Sequence, residues 1–144
     1  MKMTERELKD IILREENIFM FNHQGLDCII IRNIYSLAWL GYASVPADSV
    51  LDGKNYNYWK DDDKLSDIEK QINDINVHGG LTFARYGYWT DDKSKYYFGF
   101  DCSHSGDLTK QTIDFDFDTI YRDKEYVISE VKSLAEQLNK IIKN

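Results

Sequence analysis

Apolar positions along the chain repeat with two periods, and where the period changes the predicted elements begin and end. Thr4-Glu-Arg-Glu7 is a capping-box pattern, followed by Leu8, Ile11, Ile12 and Leu13 on one side of a helix predicted over 4–17. A β-meander is predicted over 18–45. It runs through Ile18 to Phe21, a turn at Asn22 to Gly25, a β-branched run from Leu26 to Ile31, and Ile34 to Val45 around Trp39 and Tyr42. Pro46 stops the meander, and 46–64 reads as a long polar and aromatic loop. Ser66-Asp-Ile-Glu69 opens a second capped helix over 65–75, with Leu65, Ile68, Ile72 and Ile75 toward the core. The segment 77–103 reads as a β-hairpin around Thr90 to Ser94. In the last helix, 124–142, Val127, Ile128, Val131, Leu134, Leu138 and Ile141 form a stripe at helical spacing. The fold expected is a single α+β domain: a mainly antiparallel sheet of five to six strands, with an N-terminal, a short middle and a long C-terminal helix.

Between the hairpin and the last helix, Asp114-Phe-Asp-Phe-Asp118 alternates strictly. It predicts a strand within 112–119, with Phe115 and Phe117 inward and Asp114, Asp116 and Asp118 outward. Glycine does not follow the third acid, as a calcium loop would require.

Composition agrees with one folded domain: 144 residues, 42% hydrophobic, 14% aromatic, one proline and no repeat or linker-like tract. The formal net charge of −7 opposes attraction to phosphate backbones and anionic lipid, so neither direct nucleic-acid binding nor membrane association is expected. It favours a basic partner. The start, Met1-Lys-Met-Thr-Glu5, lacks an apolar secretory core, so a cytoplasmic protein is expected, with Cys28 and Cys102 as free thiols.

Candidate chemistry gathers in two places, Val77-His-Gly-Gly-Leu-Thr-Phe83 and Phe100-Asp-Cys-Ser-His-Ser-Gly-Asp107. A hairpin centred on the 90–94 turn sets His78 across from Ser105 to Asp107, and Thr82 across from Ser103. His78, Asp101, His104 and Asp107 then supply two imidazoles and two carboxylates, a set suited to acid/base work, and a bond between one of the carboxylates and one of the imidazoles is expected. Gly79, Gly80, Thr82, Ser103 and Ser105 leave room for a small phosphate-containing ligand; a sheet bulge explains the glycines equally well. The spacing fits no standard zinc or calcium site, and no cofactor is implied. Cys102 is expected in the core beside Phe100 rather than as a nucleophile. Tyr56, Tyr58 and Trp59 in the long loop are candidate partner contacts, although aromatics of such a loop also fold back on their own domain.

Those two motifs resemble a family of small proteins encoded by phages and prophages, which share a VHGGLT[FY] strand and a GFDCxHxGD strand. Weaker likeness extends to Trp39-Leu-Gly-Tyr-Ala-Ser-Val-Pro46 and to Tyr121-Arg-Asp-Lys-Glu-Tyr-Val127. Family members often continue Val-Pro with a histidine-proline pair, where this chain has Ala47-Asp-Ser-Val50. The resemblance implies a mobile-element origin and an accessory or counter-defence role in a bacterial host, but no named activity. Two readings lead, ahead of a structural or assembly role in the virion. In one, the His/Asp cluster binds or processes a nucleotide-like signal; in the other, an acidic stoichiometric inhibitor of anti-CRISPR type blocks the basic groove of a host defence protein, using Asp114, Asp116, Asp118 and the aromatic loop.

Overall fold

The structure is a computed structural model that describes residues 2–90, 94–115 and 117–144. Five strands form one antiparallel sheet in the order β1-β2-β3-β5-β4: β1 Ile18–His23, β2 Leu26–Arg32, β3 Trp39–Val45, β4 Phe83–Tyr86 and β5 Tyr96–Asp101. The helices are α1 Glu5–Glu15, α2 Asp67–Asn73 and α3 Lys124–Ile142, with a short 3-10 turn at Asp62–Lys64. Both capping boxes form. The Thr4 and Ser66 hydroxyls each accept from the N–H three residues on, and Glu7 and Glu69 return the bond to the cap backbone.

β1, β2 and β3 are the meander, tightened at Gln24 and Gly25, which both take positive φ. β5 then docks on β3 rather than β4, so the second hairpin adds its second strand first and leaves β4 on an edge. Trp39, Gly41, Ala43 and Val45 of β3 share a face with Leu26, Cys28 and Ile30 of β2 and with Tyr96, Phe98 and Phe100 of β5. Against that face lie Val127, Val131, Leu134, Ala135, Leu138 and Ile141 of α3. The helix sits close because Gly41 has no side chain; a Cβ there would meet Val131 Cγ2 at 2.6 Å.

Three expectations are corrected. Among the described residues no strand forms within 112–119: 111–114 turns, with Thr112 N–H bonded back to Thr109 O at 3.2 Å and Phe115 N–H to Thr112 O at 3.0 Å. Alternation without a neighbouring strand to accept the backbone does not make a strand, and Phe115 and Phe117 are exposed at 41% and 52% rather than inward. Asp116 lies outside the described residues. Second, the apolar side of α1 is narrower than predicted: Leu8 is buried, but Leu13 is fully on the solvent side. Third, the hairpin register is shifted. Phe83 pairs with Gly99 and Tyr86 with Tyr96, so the paired part is short and 77–82 precedes it as turn and extended chain.

Cys28 and Cys102 are free and buried. Burial pushes the Cys28 thiol up to about 12, and it raises Cys102 further, with Asp107 and Asp101 adding to the shift. Neither is a nucleophile at neutral pH. No helix among the described residues is long and apolar enough to cross a membrane.

Leu134 is fully buried between α3 and the sheet. Leu134→Ala is expected to cost about 2 to 5 kcal/mol in urea unfolding, the range for a deleted core leucine; a cost below about 0.5 kcal/mol would contradict this docking.

Candidate functional site

Two tight turns bring the motifs together. Gly80 N–H closes on Val77 O at 2.8 Å, which turns the chain at His78 and Gly79, with Gly79 at φ +71. Asp107 N–H closes on His104 O at 2.8 Å. The turns pack directly on each other: a Cβ on Gly79 would fall 1.9 Å from His104 Nε2, so only glycine admits the imidazole here. The His78 and His104 rings meet edge to face at 5.7 Å between centroids. Despite the shifted register, His78 meets both His104 and Asp107, at the end of the second motif where it was expected.

The carboxylate of Asp107, 1% exposed, is the hub. His78 Nε2 lies 2.9 and 2.8 Å from its two oxygens, Arg122 Nε donates at 2.9 Å, and the His104 backbone N–H donates at 3.0 Å. The expected carboxylate–imidazole bond is therefore present, between Asp107 and His78. The other nitrogen of His78, Nδ1, lies 2.8 Å from the Tyr126 hydroxyl. An ionised carboxylate only accepts, so Nε2 carries the proton and Nδ1 accepts from Tyr126. Burial first, then the nearby Glu130, raises the Tyr126 hydroxyl above its ordinary value, consistent with a donor that keeps its proton.

Arg122 and Tyr126 are the site residues that motif reading missed. Leu108 N–H bonds to Ile120 O and Ile120 N–H to Gly106 O, so the chain after the acidic segment returns alongside Asp107. Arg122 follows two residues later, and Asp123 caps α3 by accepting from Tyr126 N–H, which sets Tyr126 on the first turn facing His78. In the sequence their only signal was the weak likeness around Tyr121 to Val127.

The remaining candidates divide. Asp101 accepts from the Thr82 hydroxyl at 3.0 Å and from Ser103 N–H at 3.0 Å, the second bond being an Asx turn within its own segment. His104 Nε2 lies 3.4 Å from Asp101 Oδ1 but makes no hydrogen bond, and that nitrogen is buried. Ser103 and Ser105 are exposed. Tyr58 folds back on the site, accepting Leu81 N–H at 3.1 Å and stacking on Tyr56 at 5.0 Å, while Trp59 is 86% exposed. The larger cavities lie elsewhere. One of about 570 Å³ opens between α1 and Thr119 to Asp123, and one of about 560 Å³ lies on the second face of the sheet beside Trp89.

Both ring nitrogens of His78 are engaged, one by the Asp107 carboxylate and one by the Tyr126 hydroxyl, and Asp107 accepts from three donors, so the cluster is firmly held in place. Comparison with known proteins gives no match: no family model fits the chain, and no curated protein or solved structure is similar to it.

Burial alone would raise the Asp107 pKa, but His78, Arg122 and the His104 N–H together hold it below the ordinary 3.8. A depressed folded pKa stabilises above the unfolded value, and that contribution is lost as pH falls below 3.8 through the folded value. Asp107→Asn is expected to cost about 3 kcal/mol at neutral pH and to flatten the acid limb of the stability curve, read by urea midpoints against pH. An unchanged acid limb would contradict the hub.

Proposed function

We propose that this chain is a binding protein that acts by occupying a basic surface of a partner, as an accessory, counter-defence factor of a phage or other mobile element. The observation that carries this reading is the 114–118 segment. Phe115 and Phe117 are exposed with their rings 5.2 Å apart, between the exposed acids Asp114 and Asp118. Rings left partly exposed and flanked by carboxylates suit lysine- and arginine-rich surfaces, with cations seated over ring faces. The adjoining loop widens the patch. Ile34 and Tyr35 are exposed at 76% and 77%, and Gln111 ties the two loops by donating to Tyr35 O at 3.1 Å. The net charge of −7 would speed approach to a basic groove. The phage resemblance of the two motifs supplies the setting, and the bonds that hold His78 and Asp107 in place suit a supporting role for that pair.

A second reading keeps a small nucleotide-like ligand at the outer edge of the cluster. It is favoured by one observation, the His104 Nε2 that finds no hydrogen bond next to Asp101 and Thr82.

Plating efficiency of a defence-sensitive phage on cells expressing the chain separates the two. A variant with Phe115→Ala, Phe117→Ala, Asp114→Asn and Asp118→Asn is expected to lose protection by more than about tenfold, the cost of a single hot-spot residue or more, with an unchanged circular dichroism spectrum. Thr82→Ala is expected to leave protection intact. The reverse pattern would overturn the binding reading in favour of the ligand.

A further inference from the structure

The two edges of the sheet are unlike. β4 is four residues long and carries Arg85, whose guanidinium lies 5.3 Å over the Phe83 ring: a short, charged edge of the kind that resists further pairing. β1 is six residues long, and Ile18 to Asn22 contains no charge, no proline and no glycine. Its side chains are apolar on both faces and poorly covered, with Ile18, Phe19 and Met20 exposed at 52%, 38% and 71%.

The register shows which backbone groups of that edge are unused. Arg32 N–H donates to Asn17 O at 2.8 Å, and the opposite end closes at His23 and Leu26. Narrow and wide pairs alternate along an antiparallel ladder, so Phe19, Phe21 and His23 bond to β2, while Ile18, Met20 and Asn22 turn their N–H and C=O outward. Among the described residues, no backbone group pairs with these three from outside.

We infer that β1 is a homodimer edge: it pairs antiparallel with β1 of a second copy about a two-fold axis at Met20, joining two five-stranded sheets into one. The edge is self-complementary in this register. Met20 meets Met20 of the second copy, and Ile18 meets Asn22, which uses all three outward pairs of groups. On the helix-covered face, Phe19 meets Phe21 of the second copy. The pair already stacked within one chain at 5.6 Å becomes a cluster of four rings.

Charge favours the same arrangement. Lys124 Nζ stands 4.6 Å over Phe19 at the end of the strand that Glu15 and Glu16 precede, and Glu136 bonds His23 at 2.7 Å at the other end. Antiparallel pairing sets the Lys124 end of one copy against the Glu136 end of the other. Despite the overall negative charge, the strand itself brings no like charges together. This edge is separate from the 114–118 segment, so dimerisation and partner binding can fail independently.

Sedimentation of the full chain at tens of micromolar is expected to show a dimer. Met20→Lys, at an exposed side chain, is expected to give a monomer with an unchanged circular dichroism spectrum. Met20→Cys tests the register without depending on that variant's folding: paired Cα atoms about 5.5 Å apart are within disulfide range, so mild oxidation should link two copies covalently, while the buried Cys28 and Cys102 stay reduced. A native chain that sediments as a monomer, a dimer that persists in Met20→Lys, or a Met20→Cys chain that does not cross-link would each overturn the inference. So would a β1 edge that pairs only with a strand of another protein.

Discussion

The Asp107 carboxylate ties together side chains and backbone from three stretches of chain that strand pairing brings side by side. His78 comes from the turn before β4, the His104 N–H from the turn after β5, and Arg122 from the segment leading into α3. A carboxylate 1% exposed would be costly alone. Three donors, one of them a guanidinium, hold it ionised, and its own backbone C=O accepts from the Thr112 hydroxyl at 2.7 Å. This hub fixes where the irregular 103–123 segment runs, and so where the acidic, aromatic 114–118 segment is displayed. One of the small residues beside it follows from the same packing: Gly79 is where the His104 ring rests.

A second buried charge does similar work at the C-terminal end of α1. Arg32, 5% exposed, donates to Glu16 O, Asn17 Oδ1, Leu37 O and the Tyr121 hydroxyl, and its guanidinium lies 4.1 Å over the Trp39 ring. Glu15 completes it, accepting from Tyr121 and from Lys124 N–H. The return strand of chain from Ile120 to Asp123 is thus held between two polar centres, Arg32–Glu15–Tyr121 and Asp107–Arg122. Rigid support of this kind lets exposed loops keep a defined binding shape without secondary structure of their own.

What sequence reading could reach was local. The α3 stripe, both capping boxes and the antiparallel meander depend on periodicity and on residues three or four apart, and the observed α3 is Lys124–Ile142 as predicted. The meeting of the two histidine motifs was legible from hairpin geometry even with the register wrong, because a small slip moves partners along a strand without separating its ends. The rest depended on long-range partners. Arg122 lies 15 residues from Asp107, and Tyr126 lies 48 from His78. Asp114 to Asp118 has the alternation of a strand but, among the described residues, no strand beside it, so the pattern was there without the pairing. Side-chain identity suggested an acid/base set, and the partners that hold it in place, Arg122 and Tyr126, came from outside both motifs.

The most direct test of the central claim, that His78 and Asp107 form a closed structural clamp, is the exchange rate of the His78 ring proton by nuclear magnetic resonance. With Nε2–H donated to Asp107 and Nδ1 held by Tyr126, that proton should exchange slowly enough to be seen at neutral pH, and it should vanish in Asp107→Asn. A His78 ring proton exchanging as fast as that of free imidazole would mean an open, solvent-reached site and would contradict the clamp.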